Sequence, residues 1–129
     1  MVVVGYSRGG RLAVEFTAIA PAIKVAPAAV MSIFPSQLNP LAEELIDLRT
    51  LEPSTKIMLV VGEEDSREGA RELLTRLRNA GFPARNVQAV LIRSKGSFRA
   101  DHFSALQTGP ELRRQFWARL DRLVDSVAR

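Results

Sequence analysis

Four short runs of this 129-residue sequence are almost wholly apolar and rich in valine and isoleucine: residues 1–4, 28–34, 57–61 and 87–92. Unbroken apolar runs of this length, unlike alternating ones, are typical of parallel strands that are buried on both faces. We therefore predict a β-strand at each of the four runs.

Segments with helical periodicity separate and follow the predicted strands. We predict helices from residue 8 to about 20, from 67 to 80, where Gly81 ends the pattern, and from about 110 to 128. A shorter amphipathic helix is predicted at 41–48, between prolines. The residues predicted to face the core are Leu12, Ala13, Phe16 and Ile19 or Ala20 in the first helix, Ala70, Leu73, Leu74 and Leu77 in the second, and Leu112, Phe116, Leu120, Leu123 and Val127 in the third.

This alternation of strands and helices predicts the α/β fold class, with a doubly wound parallel sheet of about four strands and flanking helices. The length suits one core, so we predict a single domain over residues 1–129. In such sheets, sites form beyond the carboxyl ends of the strands.

The composition restricts the chemistry that is available. The chain has no cysteine and one histidine, which excludes disulfides, a cysteine nucleophile and thiolate metal ligands. Because no H-E-x-x-H or comparable ligand spacing occurs, we expect no metal site and no cofactor.

The chain is basic, with a formal charge of +4 and a pI near 10.3. We interpret the arginines of the last predicted helix as a solvated face, because acidic residues are interspersed among them, with anion or nucleic-acid binding as the alternative. One tryptophan and one tyrosine offer no stacking platform, so no nucleic-acid partner is predicted. The charged residues of this helix are Arg113, Arg114, Arg119, Arg122, Glu111, Asp121 and Asp125.

No apolar stretch approaches the about 20 residues that are needed to cross a bilayer. Residues 1–4, followed by a glycine turn, do not form a secretory signal. We predict no membrane span and, by default, a cytoplasmic location.

The hexapeptide Gly5-Tyr6-Ser7-Arg8-Gly9-Gly10 follows the first predicted strand directly. Its G-x-S-x-G form is that of a strand that turns sharply into a helix and exposes a serine hydroxyl at the bend. Serine needs a base within hydrogen-bond reach and a third group that orients the base. His102, the only imidazole, follows the last predicted strand, and Gly62-Glu63-Glu64-Asp65 follows the third.

This motif and the order Ser7, acid, His102 resemble the α/β-hydrolase superfamily. The resemblance implies that Ser7 is the nucleophile, His102 the base and Asp65 the acid, because the family commonly places its acid in a Gly-x-x-Asp string after this strand. Glu64 and Glu63 are reserves for the acid, and Asp65 also begins a D-x-x-E helix-capping pattern. The implied function is a serine hydrolase that cleaves small-molecule carboxylic esters through an acyl-enzyme.

The resemblance also implies that the N–H of Arg8, the residue after the nucleophile, meets the oxyanion. The second donor would come from the loop after an earlier strand. Because the likeness covers only the C-terminal half of the family fold, starting at its fifth strand, we expect a truncated domain that lacks this donor. A signal peptide upstream stays an open alternative, as does self-association through the exposed first strand.

The substrate class is weakly indicated. The 19 residues from 35 to 53 are too few for a lid domain, and the spacing resembles small capless carboxylesterases, dienelactone hydrolases and the chlorophyllase or platelet-activating-factor acetylhydrolase-like branch. Candidate pocket residues, each equally able to be core, are Tyr6, Ile33, Phe34, Leu38 and Phe103. The alternative function is a non-catalytic hydrolase-like fragment that pairs its exposed first strand with a partner chain.

Overall fold

The computed structural model of the chain describes residues 1–39, 41 and 45–128. Within them, four strands form one sheet in the order β1-β2-β3-β4, and every neighbouring pair is parallel. All four predicted strands are confirmed, with small shifts at their ends. The strands are β1 (Val2–Tyr6), β2 (Ala29–Ile33), β3 (Lys56–Gly62) and β4 (Val87–Ile92).

Helix α1 (Arg8–Ile19) connects β1 to β2, and α2 (Glu68–Asn79) connects β3 to β4. After β4 comes a C-terminal helix, which comprises α3 (Pro110–Leu112), a π-helical segment (Arg113–Trp117) and α4 (Ala118–Val127). The helix predicted at 41–48 falls partly on residues 42–44, which lie outside the described residues. Residues 45–47 are irregular and Leu48–Thr50 form a short 3-10 helix, so the described part of that prediction is wrong.

The sheet has a separate apolar core on each face, which confirms the doubly wound α/β prediction. On one face, Val30, Ile57 and Leu59 pack with α1 and α2. On the other face, alternate residues of the same strands pack with Phe116 and Leu123 of the C-terminal helix. Of the helices in the described part of the chain, none is both long and apolar enough to cross a lipid bilayer.

The predicted core faces of α2 and the C-terminal helix are confirmed, and that of α1 is confirmed at Ala13 and Ala20 but wrong at its large apolar residues. Leu12, Phe16 and Ile19 are 46%, 37% and 50% exposed. Small residues, Ala13 and Ala18 among them, face the sheet instead. The buried side of the helix also carries Val14, Arg11 and Glu15, so polar and charged residues occupy core-facing positions that the apolar pattern assigned to the large hydrophobic residues.

A buried ion cluster, which the apolar periodicity did not indicate, joins α1 to α2. The Glu15 carboxylate, 3% exposed as a residue, accepts hydrogen bonds from Arg11 at 2.9 and 3.0 Å and from Arg76 at 2.9 Å. Arg76 also donates to the carbonyl of Ile46 at 2.9 Å. Charges this deeply buried are tolerated only when they are paired and hydrogen-bonded, so the three side chains fix the position of the two helices together.

We predict that Gly5 and Gly9 respond oppositely to substitution by alanine. A Cβ at Gly5 would lie 1.9 Å from the Gly9 carbonyl oxygen, whereas a Cβ at Gly9 meets nothing within 4 Å. Gly5→Ala should therefore lower the free energy of unfolding by about 1–3 kcal/mol or more. Gly9→Ala should raise it by up to about 1 kcal/mol, because alanine favours a helix. Denaturant unfolding measures both values, and equal effects would contradict the tight contact between strand and helix.

Candidate active site

Ser7 lies at the turn between β1 and α1, with φ 57° and ψ −122°, a conformation rarely adopted by residues other than glycine. The turn is held from the side of β2. The Ser7 N–H donates to the carbonyl of Ile33 at 2.8 Å, and the Ser7 carbonyl accepts from the N–H of Ser36 at 3.1 Å. The strained backbone is thus stabilised by the segment that follows the neighbouring strand.

Three predicted site residues, distant in sequence, form one hydrogen-bonded series. Ser7 Oγ lies 2.8 Å from His102 Nε2, and His102 Nδ1 lies 2.8 Å from Asp65 Oδ2. With its proton on Nδ1, the imidazole donates to Asp65 and accepts from the Ser7 hydroxyl. The side chains of Asp65 and His102 are 15% and 31% exposed. The series is therefore partly shielded from solvent.

The loop that carries His102 is fastened to the end of β3. The N–H of Glu64 donates to the carbonyl of Ala100 at 3.0 Å. A Cβ at Gly62 would lie 2.2 Å from the same carbonyl oxygen, so only glycine allows this approach. This contact brings the following residues, including His102, over the end of the strand that precedes Asp65.

The two reserve candidates for the acid, Glu63 and Glu64, form hydrogen bonds with the loop that carries His102. Glu63 Oε2 accepts from the Ser94 N–H at 2.8 Å, and Glu64 accepts from the Ser94 hydroxyl. Asp101 accepts from the N–H of Phe103 at 3.0 Å. Of the carboxylates considered from the sequence, Asp65 is therefore the one whose described partner is the His102 ring.

The helix-capping alternative for Asp65 does not match the structure. Helix α2 begins at Glu68, its N-cap residue is Arg67, and the Glu68 N–H bonds to the Ser66 hydroxyl at 3.3 Å. Ser66 thus does the work that the D-x-x-E pattern assigned to Asp65, and the Asp65 carboxylate is directed at the histidine.

Aromatic rings surround the His102 imidazole. The Tyr6 hydroxyl donates to the His102 carbonyl at 2.6 Å, and the two ring centroids lie 5.3 Å apart. The Phe34 and Phe103 rings lie 6.2 and 5.7 Å from the imidazole. Phe34 is 2% exposed and packs on Phe116, so it supports the site from the core, whereas Phe103 is 65% exposed.

Two other predicted pocket residues are Ile33 and Leu38. Ile33 is only 5% exposed and belongs to the core, and it also lines a cavity beside Tyr6. The Leu38 N–H donates to Glu72 Oε1 at 3.0 Å, which ties Leu38 to α2. Arg8 is the first residue of α1, so its backbone N–H lies at the positive end of the helix, next to Ser7.

Two small cavities flank this site. One, of about 220 Å³, is lined by polar groups that include Ser36, Asp65 and His102. The other, of about 280 Å³, is mostly apolar and includes Tyr6, Leu106 and Trp117. Sequence reasoning missed Leu106 and Trp117, for which the only signal was a lone tryptophan in the last helix. Within residues 1–39, 41 and 45–128, no three histidine, aspartate or glutamate side chains are grouped to hold a metal ion.

No protein-family model matches the sequence, and no curated protein matches it. Solved structures do match its fold. An esterase of Pyrococcus furiosus aligns with a TM-score of 0.60 at 16% identity, over 97% of this chain and 52% of its own. Acyl-protein thioesterase 2 of Zea mays aligns with a TM-score of 0.59 at 15% identity, over 95% of this chain and 55% of its own. The S-formylglutathione hydrolase of Staphylococcus aureus aligns with a TM-score of 0.55 at 13% identity, over 95% of this chain and 50% of its own.

These similarities establish the α/β-hydrolase fold, and the match is to the C-terminal half of that fold. The sequence-based prediction of this fold is thus confirmed. The chain spans about half the length of each of these solved structures.

We predict that Tyr6 ionises above its usual pKa of 10.0 in the folded protein. Burial raises the pKa of its hydroxyl most, and the negative charges of Asp65 and then Asp101 raise it further. The linked stability is therefore fully present below the pKa of the unfolded chain and is lost as the pH rises through the folded pKa. Because Tyr6 is the only tyrosine, its phenolate absorbance reports this titration alone.

The titration should show a higher midpoint for the folded protein than for the denatured chain. Asp65→Asn should lower the folded midpoint without abolishing the shift, since burial persists, and Asp101→Asn should lower it less. A folded midpoint equal to the denatured one would contradict the placement of Tyr6 beside these carboxylates.

Proposed function

We propose that this chain, which has the fold of the C-terminal half of an α/β-hydrolase, is a serine hydrolase that cleaves carboxylic esters through an acyl-enzyme. The observation that carries the proposal is the series Ser7–His102–Asp65, with 2.8 Å at each link and Ser7 on a strained turn. A hydroxyl, an imidazole and a carboxylate in this sequence of contacts are the parts of a nucleophile, its base and the group that orients the base.

In the proposed first half-reaction, Ser7 Oγ attacks the ester carbonyl carbon while His102 Nε2 accepts the hydroxyl proton. Asp65 holds the imidazole in the tautomer with its proton on Nδ1 and stabilises the imidazolium that forms. The backbone N–H of Arg8, at the N-terminus of α1, donates a hydrogen bond to the oxyanion of the tetrahedral intermediate. His102 then returns the proton to the departing alkoxide, which leaves as an alcohol, and an ester of Ser7 with the acyl group remains.

In the second half-reaction, His102 takes a proton from a water molecule as that water attacks the acyl carbon. Collapse of the intermediate breaks the bond to Ser7 Oγ, which regains its proton, and a carboxylic acid leaves. The cavity beside Tyr6, Leu106 and Trp117 is apolar enough for an acyl chain. The names of the similar structures, an esterase and an acyl-protein thioesterase among them, support hydrolysis of acyl compounds.

We predict that Ser7→Ala lowers kcat for p-nitrophenyl esters by about 10³-fold or more, because the nucleophile is removed. The wild-type chain should also form a covalent adduct with a fluorophosphonate probe, and the variant should not. Ser54→Ala, at an exposed turn before β3 and thus at the opposite end of the sheet, is the matched control and should label and turn over normally. Retention of most activity in Ser7→Ala would show that another group is the nucleophile.

We predict that Asp65→Asn lowers kcat by about 10²-fold to 10⁴-fold, with little change in melting temperature, because an amide can fill the space but cannot stabilise an imidazolium. Asp101→Asn removes a neighbouring charge and keeps an acceptor for the Phe103 N–H, so it is the matched control. Undiminished turnover in a folded Asp65→Asn variant would move the acid role to Glu64 or Glu63.

A second candidate function is favoured by the uncovered side of the molecule next to β1. Among the described residues β1 pairs with β2 alone, which leaves its other edge open. Beside this edge, Leu12, Phe16 and Ile19 form an exposed apolar stripe on α1, and Val4 on β1 is 40% exposed. An open strand edge beside an apolar helix face is the arrangement that takes up a strand from another chain. In this alternative, the chain binds a partner chain through β1 and has no catalytic role.

We predict that the purified chain self-associates through this surface in a concentration-dependent manner, as seen by size-exclusion chromatography with light scattering. Phe16→Lys should shift the chain toward monomer, because it places a charge in the contact. Val124→Lys is the control, since Val124 is 39% exposed on the C-terminal helix. A monodisperse wild-type monomer would contradict association. Association without fluorophosphonate labelling would favour the second candidate over the hydrolase.

A further inference from the structure

A cleft of about 390 Å³ lies at the end of the sheet opposite Ser7, between the first residues of β3 and β4 and the C-terminal helix. Apolar side chains form part of its lining, among them Ile57 and Leu123. Its remaining lining is polar or cationic and includes no acidic residue: Lys56, Arg85, Asn86, Gln88, Arg119, Arg122 and Ser126. No residue of the Ser7–His102–Asp65 series lines it, so the cleft is independent of the proposed hydrolase site.

Four cations line this cleft: Lys56, Arg85, Arg119 and Arg122. None forms an ion pair with a described aspartate or glutamate. The Lys56 ammonium donates to the Ser126 carbonyl at 3.3 Å, and Arg119 Nη2 donates to Gln115 Oε1 at 3.4 Å. Four positive charges around one concave surface repel each other, which is unfavourable without an anion among them.

Arg119 shows the clearest sign of a missing acceptor. Its Nε is buried and has no hydrogen-bond acceptor among the described residues. Burial and then the nearby charge of Arg122 lower the pKa of Arg119, so both the position and the surroundings of this guanidinium disfavour its charge. A guanidinium whose charge is disfavoured in this way would be stabilised by an anion bound in the cleft that Arg119 lines.

We propose that this cleft binds a small polyanion that carries a diphosphate group. Guanidinium groups bind phosphate oxygens through paired, charge-assisted hydrogen bonds, and two of them, those of Arg119 and Arg122, belong to residues that line this cleft. The negative charge of a diphosphate is close in magnitude to the combined positive charge of the four cations. The Asn86 and Gln88 amides add neutral donors. The concave shape and the absence of an aromatic side chain from the lining favour a small ligand over a nucleic-acid strand.

The proposed site corresponds to the alternative of anion binding for part of the arginines in the last helix. Arg114 fits the interpretation as a solvated face, since it is exposed and pairs with Glu111 at 2.7 Å. Arg119 and Arg122 lie about one turn apart and line the cleft together with Lys56 and Arg85 from the strand side, where an anion could bind them.

The test is titration of the purified chain with inorganic pyrophosphate in a calorimeter, with orthophosphate in parallel. We expect one pyrophosphate per chain, weaker binding of orthophosphate, and at least about a tenfold loss of pyrophosphate affinity in Arg119→Gln and in Arg122→Gln. Arg113→Gln removes the same charge from an exposed position of the same helix outside the cleft, and its affinity should stay within about twofold of wild type. Arg122 is exposed, so its variant carries the test if Arg119→Gln does not fold.

Thermal melting separates a binding site from a structural cluster. Pyrophosphate should raise the melting temperature of the wild-type chain and not that of Arg119→Gln. Without the anion, Arg119→Gln should melt no lower than wild type, because it removes a poorly solvated cation. A marked loss of stability in that variant, with unchanged pyrophosphate affinity in Arg122→Gln, would overturn the proposal.

Two further outcomes would also overturn it. One is the absence of pyrophosphate binding at millimolar concentration. The other is that all three arginine variants weaken pyrophosphate binding equally and that a single-stranded oligonucleotide binds as tightly per phosphate as pyrophosphate does. That result would identify a diffuse basic surface.

Discussion

The parallel register of the four strands is the constraint on which the rest of the structure depends. Tyr6 pairs with Ile33, and Ile33 pairs with Val60, so the chain leaves each of these strands at the same edge of the sheet. Because parallel strands point the same way, the segments after β1, β3 and β4 meet at that edge, although Ser7 and His102 are 95 residues apart. This topology brings together the backbone segments that carry Ser7, Asp65 and His102, which is the condition for the hydrogen-bonded series.

Two close backbone contacts turn this shared edge into a defined geometry. The approach of Gly5 to Gly9 determines the angle at which α1 leaves the Ser7 turn. The approach of Gly62 to Ala100 determines how far the loop that carries His102 lies from the end of β3. The buried side of α1 carries small residues such as Ala13 and Ala18 together with the Arg11–Glu15 ion pair. The large apolar residues of the helix therefore face outward, where they create the surface of the second candidate function.

The two ends of the sheet differ in how their charged residues are paired. At the carboxyl edge, Glu63 and Glu64 fasten the histidine loop and form ion pairs with Arg93 and Arg99, and Asp65 faces the imidazole. Basic residues gather at the other end, around Arg119 and Arg122. The seven residues of β3 separate the two groups by roughly 20 Å at the usual rise of a strand, so substitutions at one end should act independently of the other.

The sequence by itself determined the four strands, α2, the extent of α1, the extent and core face of the C-terminal helix, and the turn at Ser7. These features follow from short-range periodicity and from the positions of Gly5 and Gly81, which act within a few residues. Only the tertiary structure decided that Asp65 rather than Glu64 lies against His102, that Leu12 and Phe16 face outward, and that Arg119 is drawn into a cleft. Each of these depends on distances between segments that are remote in the chain, and on the space left between packed elements, neither of which a local pattern contains.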